Sequence, residues 1–174
     1  MAMHIIPSEL QDLQLIFDFY ALAVAHQKRV FNRHWQDFDP DMVQAEIREQ
    51  RQWKVLIDNR PAAVFATAFS DPLIWTEAEP VSAIYLHRIV THPDFRGRNL
   101  VQSITDWAVA YARQKGLSFV RMDTWADNDK LLKHYTACGF RHAGTVTPKS
   151  KGLPPHYAGI TLNLFEIDVR EAAG

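Results

Sequence analysis

Cysteine is almost missing from this sequence. Cys138 is the only one, which excludes an intrachain disulfide and fits a reducing cytosol. Long apolar runs are missing too: none approaches the roughly 20 residues that cross a bilayer. The opening "MAMHIIPSELQDL" turns polar too early for a secretory leader. The expected compartment is therefore the cytoplasm, with no membrane partner. Neither sign of charge is in excess. The formal net charge is -1, whereas the basic stripe of a nucleic-acid binder pushes the balance well above zero, so no nucleic-acid partner is expected. No G-x-G-x-x-G fingerprint is present, which counts against a Rossmann-like nucleotide domain. His4, His26, His34, His92, His134, His142 and His156 show no metal-ligand spacing, and no metal is expected. Repeats, low-complexity tracts and linkers are also lacking. With 174 residues, 47% of them hydrophobic, the chain reads as a single domain over 1–174 with one core.

What is there is a regular alternation of patterns. "MHII" reads as a first strand. Ser8 opens a helix, with Gln11 placed as in a capping box, and Leu10, Leu13, Ile16, Phe17, Tyr20 and Val24 follow at helical spacing. Asp39-Pro40 starts a second helix as N-cap and first-turn proline, and that helix fades near Arg51. "WKVLID" and "PAAVFATAF" flank Asn59-Arg60 as a hairpin. Residues 71–80 are a loop and 82–91 a strand. Residues 100–115 carry the clearest helical stripe, with Leu100, Val101, Ile104, Trp107, Ala108, Tyr111 and Ala112 on one side and Gly116 where a C-terminal cap belongs. "SFVRMDTW" is the next strand. Asp127 or Asn128 caps a short helix carrying Leu131, Leu132, Tyr135 and Cys138, and "FRHAGTV" and "AGITLNLFEIDV" are the last strands. On that apolar helix face Cys138 reads as inert core rather than as a nucleophile. The strand 82–91, the helix after it and the strand 118–125 make a βαβ unit with parallel strands. The class is α/β (α+β), a mixed sheet with helices on both faces.

One stretch carries chemistry. In "THPDFRGRNLVQ", residues 91–102, a strand turns through Pro93, Arg96, Gly97 and Arg98 into an amphipathic helix. A helix start leaves unpaired N–H groups and a positive dipole end, which receive anions without any particular side chain. Two arginines stand beside those amides. An ordinary strand-to-helix turn with solvated arginines accounts for the same letters.

"YLHRIVTHPDFRGRNL", followed by "DNDKLLKHYTACGF", resembles the GCN5-related N-acetyltransferase (GNAT) family: Arg96, Gly97, Asn128, Tyr135, Gly139 and Phe140 fall on that family's motif positions. The resemblance implies a largely antiparallel central sheet with one splayed parallel strand pair. It implies acetyl-CoA as co-substrate, its pyrophosphate wrapped by Arg96, Gly97, Arg98, Asn99, Leu100 and Val101. Its pantetheine arm would pair with the backbone of Ile89, Val90 and Thr91 and hydrogen-bond Asn128. Tyr135 would be the acid for the departing thiolate. Two later loop glycines of the family fall on Asn99 and Val101. Asn tolerates a left-handed backbone, and it is also a good N-cap; Val101 adds bulk or joins the apolar stripe. Helical spacing alone makes Tyr135 a core tyrosine and Asn128 a plain cap.

The general base is open between His87, whose ordinary pKa suits the task, Asp123 at the end of the neighbouring strand, and water-relayed deprotonation with no dedicated base. A satisfied buried histidine and a strand-end cap are the bland readings of the first two. In this fold the acceptor's walls map to "HWQDFD", "DPLIW" and "LPPHY", which bring Trp35, Asp37, Phe38, Asp71, Trp75, His156 and Tyr157. Aromatic walls with carboxylates suit a cationic amine, and Arg88 could hold an acceptor's carboxylate instead. The expected partner is a small-molecule or peptide amine, and a homodimer is a reasonable expectation for the fold. A non-catalytic acyl-CoA-binding module on the same fold is the competing reading. The lost loop glycines point toward it; the retained Tyr135 and Asn128 point away.

Overall fold

The computed structural model describes residues 2–31, 33–76, 81–148 and 159–171. Seven strands form one sheet: β1 (Met3–Pro7), β2 (Gln52–Ile57), β3 (Arg60–Ala68), β4 (Ala83–Thr91), β5 (Phe119–Trp125), β6 (Arg141–Val146) and β7 (Leu162–Asp168). Their spatial order is β1-β2-β3-β4-β5-β7-β6. Four helices intervene: α1 (Leu13–Val30), α2 (Pro40–Arg48), α3 (Leu100–Lys115) and α4 (Asp129–Ala137). β4 and β5 run parallel, whereas β1–β2, β2–β3, β5–β7 and β6–β7 are antiparallel. This is the mixed, largely antiparallel sheet with one parallel pair that the sequence implied, in the expected order of elements.

Several boundaries move, each for a local reason. The first helix does not open at Ser8. Ser8 is buried and its N–H donates to Gln52 O at 2.8 Å, extending β1, and the Asp12 carboxylate takes the Glu9 N–H at 2.8 Å. A 3-10 turn over Leu10–Asp12 follows, and α1 then runs to Val30, beyond Val24. The hairpin turn is Asp58-Asn59 rather than Asn59-Arg60. Both residues are left-handed, at φ 49° and 66°, as a two-residue type I′ turn requires. α2 starts as read, with Asp39 accepting from the Asp41 N–H. Asn128, not Asp127, caps α4 by accepting from the Leu131 N–H at 3.1 Å.

The chain divides into two compact units, Met1–Thr67 with Arg88–Leu100, and Ala68–His87 with Val101–Gly174. The first is built on Ile16, Phe19, Tyr20, Phe38, Val43, Ile47, Val64 and Val90, all buried. In the second, α3 buries Ile104, Ala108 and Ala112 at four-residue spacing, while Val101, Trp107 and Tyr111 are half-buried. Gly116 closes α3 at φ 73°, and the Leu117 N–H reaches back to Ala112 O at 2.8 Å, the bond of a Schellman cap. β7 lies between β5 and β6, pairing Phe119↔Asp168 through Trp125↔Leu162 on one side and Arg141↔Glu166 through Val146↔Leu162 on the other. The parallel β4–β5 ladder covers only Ala83↔Phe119 to Tyr85↔Arg121, although β5 stays paired to β7 as far as Trp125.

Candidate active site

In the first unit, β4 passes into the 91–102 segment through a tightly held corner. The His92 N–H donates to Ala62 O at 2.8 Å, and Pro93–Phe95 forms a 3-10 turn in which His92 Nδ1 accepts from the Asp94 N–H. Phe95 is buried, with the Arg60 guanidinium over its ring at 5.0 Å and reaching Asp94 at 3.3 Å. The Arg96 and Arg98 amides donate back to Pro93 O and Phe95 O. Gly97 then sits at φ 80° and Asn99 at φ 53°, with Arg98 between them outside the left-handed region. Left-handed residues just ahead of a helix start can turn N–H groups toward one concave side, as anion-binding turns do. Of the two conformations open to Asn99, the left-handed one is realised and α3 begins at Leu100. A Cβ on Gly97 would meet nothing within 4 Å; what requires glycine there is the dihedral, not space. Residues 96–99 are exposed and Leu100 is buried. With the first-turn amides of α3 lacking intrahelical acceptors, this segment is chemically suited to a diphosphate. The Arg98 amide is spent on the turn, so the cradle rests on its neighbours.

The same unit places Trp35, Phe38 and Arg88 together. Tyr20 meets Trp35 edge-on at 6.1 Å and Phe38 at 5.1 Å, and Trp35 and Phe38 meet at 5.6 Å. The Arg88 guanidinium lies over Phe38 at 5.2 Å and forks onto both Glu46 oxygens at 2.6 Å. Gln52 ties Glu46 to Tyr20. Arg88 sits at φ 50°, so the two-residue side-chain alternation of a regular strand, by which Arg88 would face away from His87, does not run through this point. Its guanidinium is engaged by Glu46, a partner that no motif announced.

The second unit gathers the other candidates. Asp71 follows β3, and its carbonyl accepts the Trp75 N–H at 2.8 Å in a tight turn. The ligand atoms of Asp71, His87 and Asp123 all lie within 4.8 Å of one another, with Asp71 Oδ2 3.5 Å from His87 Nε2. Among the described residues this is the one group of histidine and carboxylate atoms close enough to chelate a cation. Burial pushes the Asp71 carboxyl up to about 6. Tyr135 is buried against Phe165 at 5.5 Å and Phe140 at 6.3 Å; burial first, then the charges of Cys138 and Asp123, push its phenol up to about 12. Asn128 Oδ1 is used by the cap, which leaves its NH₂ to donate elsewhere. Trp75 is 8% exposed, with its ring 4.2 Å from the Arg121 guanidinium. Arg121 in turn bonds Glu166 at 2.8 Å and the Tyr85 hydroxyl at 3.0 Å. That buried cation was missed; the available signal was a positive charge, Arg121, inside one largely apolar strand and a negative one, Glu166, inside another. His156 and Tyr157 lie outside the described residues.

Residues 17–140 match the sequence pattern of the acetyltransferase (GNAT) family. No curated protein matches the chain. Among solved structures, a GNAT-family acetyltransferase from Listeria monocytogenes shares 19% identity at TM-score 0.76, covering 95% of this chain and 94% of that one. An acetyltransferase-like protein from Salmonella typhimurium, solved with its cofactor acetyl-CoA, shares 15% identity at TM-score 0.69 over 100% and 98% of the two chains. A chimeric spermidine N-acetyltransferase built on the Vibrio cholerae enzyme shares 12% identity at TM-score 0.69 over 98% of each. At these identities the structural likenesses speak for the fold; the sequence match, spanning most of the chain and both motif blocks, decides the family. The chain belongs to the GNAT acetyltransferase family.

Proposed function

We propose that the chain transfers an acetyl group from acetyl-CoA to a primary amine of a small molecule or peptide by direct attack. The observation that carries this reading is the left-handed alternation at Gly97 and Asn99 ahead of α3, on residues that match a family of acetyltransferases. Arg96 to Val101 would hold the diphosphate, the backbone of Ile89, Val90 and Thr91 the pantetheine arm, and the Asn128 NH₂ a pantetheine carbonyl. Acetyl-CoA, when bound, supplies an acetyl thioester. His87 takes the proton of the acceptor's ammonium, with Asp123 beside it as the alternative acceptor, and the neutral amine becomes the nucleophile. Tyr135 steadies the departing thiolate. With its phenol pushed up to about 12, Tyr135 stays neutral across the working pH range and acts as a hydrogen-bond donor to developing charge more than as a strong acid.

The acceptor side is read from residues within each unit. Trp35 and the Arg88–Glu46 pair belong to the first, Asp71 and Trp75 to the second. The spermidine acetyltransferase among the similar structures is consistent with a cationic acceptor, which carboxylates and aromatic rings suit. Among the described residues no helix is long and apolar enough to cross a membrane. The test is thiol release from acetyl-CoA over a panel of polyamines, amino acids and peptides, paired with calorimetry of acetyl-CoA alone. Turnover on one amine class with saturable heat supports the reading. Heat without turnover on any amine makes the protein a binding module. No heat at millimolar acetyl-CoA removes the donor and the reading with it.

A further inference from the structure

His87 is held in a setting its sequence neighbourhood does not suggest. Two carboxylates stand near it within the second unit, Asp71 from the segment after β3 and Asp123 from β5; the Asp123 charge also reaches Tyr135 on α4. Of these, Asp71 approaches a defined ring atom, its Oδ2 lying 3.5 Å from Nε2 with both side chains largely buried. That oxygen has no hydrogen-bond partner among the described residues. A buried carboxylate oxygen left in that condition is costly unless something donates to it. The nearest donor on the page is Nε2–H, and such contacts commonly tighten once substrate fills a site.

We propose that Asp71 is a positioning residue for His87, its carboxylate holding the proton on Nε2 and leaving the Nδ1 lone pair to accept the acceptor's proton. The inference rests on the reading of His87 as the proton acceptor in acetyl transfer. In the step itself R–NH₃⁺ gives one proton to Nδ1, and the amine lone pair forms the N–C bond to the acetyl carbon. The C–S bond breaks with its electron pair leaving on sulfur, where Tyr135 meets it with a hydrogen bond, and the second proton of the acylated nitrogen passes to that thiolate, leaving a neutral amide and a free thiol. Asp71 remains ionised throughout and balances the imidazolium charge. A carboxylate at this distance favours the protonated imidazole. Burial pushes the Asp71 carboxyl up to about 6, which leaves it mostly ionised at neutral pH. A carboxylate outside the hydrogen-bonding shell of the histidine, acting only as one more wall of an amine site, would leave the ring's tautomer untouched.

The experiment has two arms. In the first, ¹⁵N spectra of the unliganded protein report the histidine tautomers across pH. Wild type is expected to hold neutral His87 with the proton on Nε2, and Asp71→Asn to lower its titration midpoint and mix the tautomers; a wild-type proton on Nδ1, or a midpoint unmoved by Asp71→Asn, overturns the proposal. In the second arm, Asp71→Asn should lower kcat roughly 10- to 100-fold, within the range of general-base effects, leave the KM for acetyl-CoA unchanged, and move the acidic limb of kcat/KM to lower pH. Asp71→Glu should recover part of the rate. Within a His87→Ala background, Asp71→Asn should cost nothing further, because the two act as one unit; an equal loss there overturns the proposal. Tight zinc binding in wild type that Asp71→Asn abolishes would also overturn it, since the cluster would then serve a cation. If the tautomer shift appears but no amine is acetylated, the acetyltransferase reading fails while the placement of the ring by Asp71 stands.

Discussion

At the scale of single residues, backbone dihedrals and burial make separate demands. Gly97 faces open space yet sits at φ 80°. Gly97→Ala therefore meets a conformational penalty of about 1–2 kcal/mol and no clash at its Cβ. Calorimetry should find acetyl-CoA bound roughly ten-fold more weakly by this variant, whereas Asn99→Gly, at a position already left-handed, should bind within about two-fold of wild type. Tyr135→Phe keeps the packing against Phe165 and removes the hydroxyl; kcat should fall about 10²-fold with the melting temperature little changed, a loss typical of a missing proton or hydrogen-bond donor. Asp71 makes a stability prediction of its own. Its folded carboxyl is raised to about 6 from 3.8 by burial, so the folded state holds the proton more tightly than the unfolded one. The stability this contributes is full below about pH 4 and lost as pH climbs through 6. Asp71→Asn has no such titration. Its melting temperature should match wild type near pH 4 and exceed it at pH 7 by several degrees, since the shift corresponds to at most about 3 kcal/mol; equal curves at both pH values would contradict the burial of this group. The family was readable from its motif positions because family chemistry restricts them. The Arg88–Glu46 and Arg121–Glu166 pairs were not, because each joins residues 42 and 45 positions apart and nothing local marks a partner that distant.

At the scale of elements, the break in β4 is the informative feature. Arg88 combines a left-handed backbone with a fork onto Glu46, so two effects can be separated by substitution. Arg88→Ala loses the pair and keeps the unfavourable dihedral; Arg88→Gly loses the pair and relieves it. Denaturant titration should find the glycine variant about 1 kcal/mol the more stable of the two, with both below wild type because buried Glu46 loses its closest counter-charge and keeps only Arg51 at 3.7 Å and the Gln52 amide. An alanine variant as stable as the glycine one would mean the dihedral relaxes without cost. Where elements have strong local signals the sequence was readable to the residue: α3 from its four-residue stripe to Gly116, α2 from Asp39-Pro40. Where two local signals competed, it was not. Ser8 looks like a cap, yet its N–H is taken by Gln52 across the sheet. Asn59-Arg60 looks like a turn, yet the pair Asp58-Asn59 accommodates positive φ where Arg would be strained. Left-handed Arg88 lies beyond periodicity, since alternation assumes a pleat that this residue interrupts.

At the scale of the whole molecule, a near-neutral chain with one buried thiol and no long apolar segment holds charge pairs in its interior at Arg88–Glu46 and Arg121–Glu166. Fold and family followed from the order of elements and two motif blocks; the acceptor did not, because the segments expected to wall it are loops whose sequences are unconstrained by the sheet. One topological fact reaches beyond catalysis. β7 lies between β5 and β6, yet of the described strands it comes last in chain order and so leaves the ribosome after the other six. While Asp168 is still in the exit tunnel, β5 and β6 lack the neighbour they share, and the half of the protein holding His87 and Tyr135 has no completed sheet to fold upon. Nascent chains stalled just after Asp168 should therefore be digested by protease in that half, and should become resistant once a longer tether lets the strand emerge.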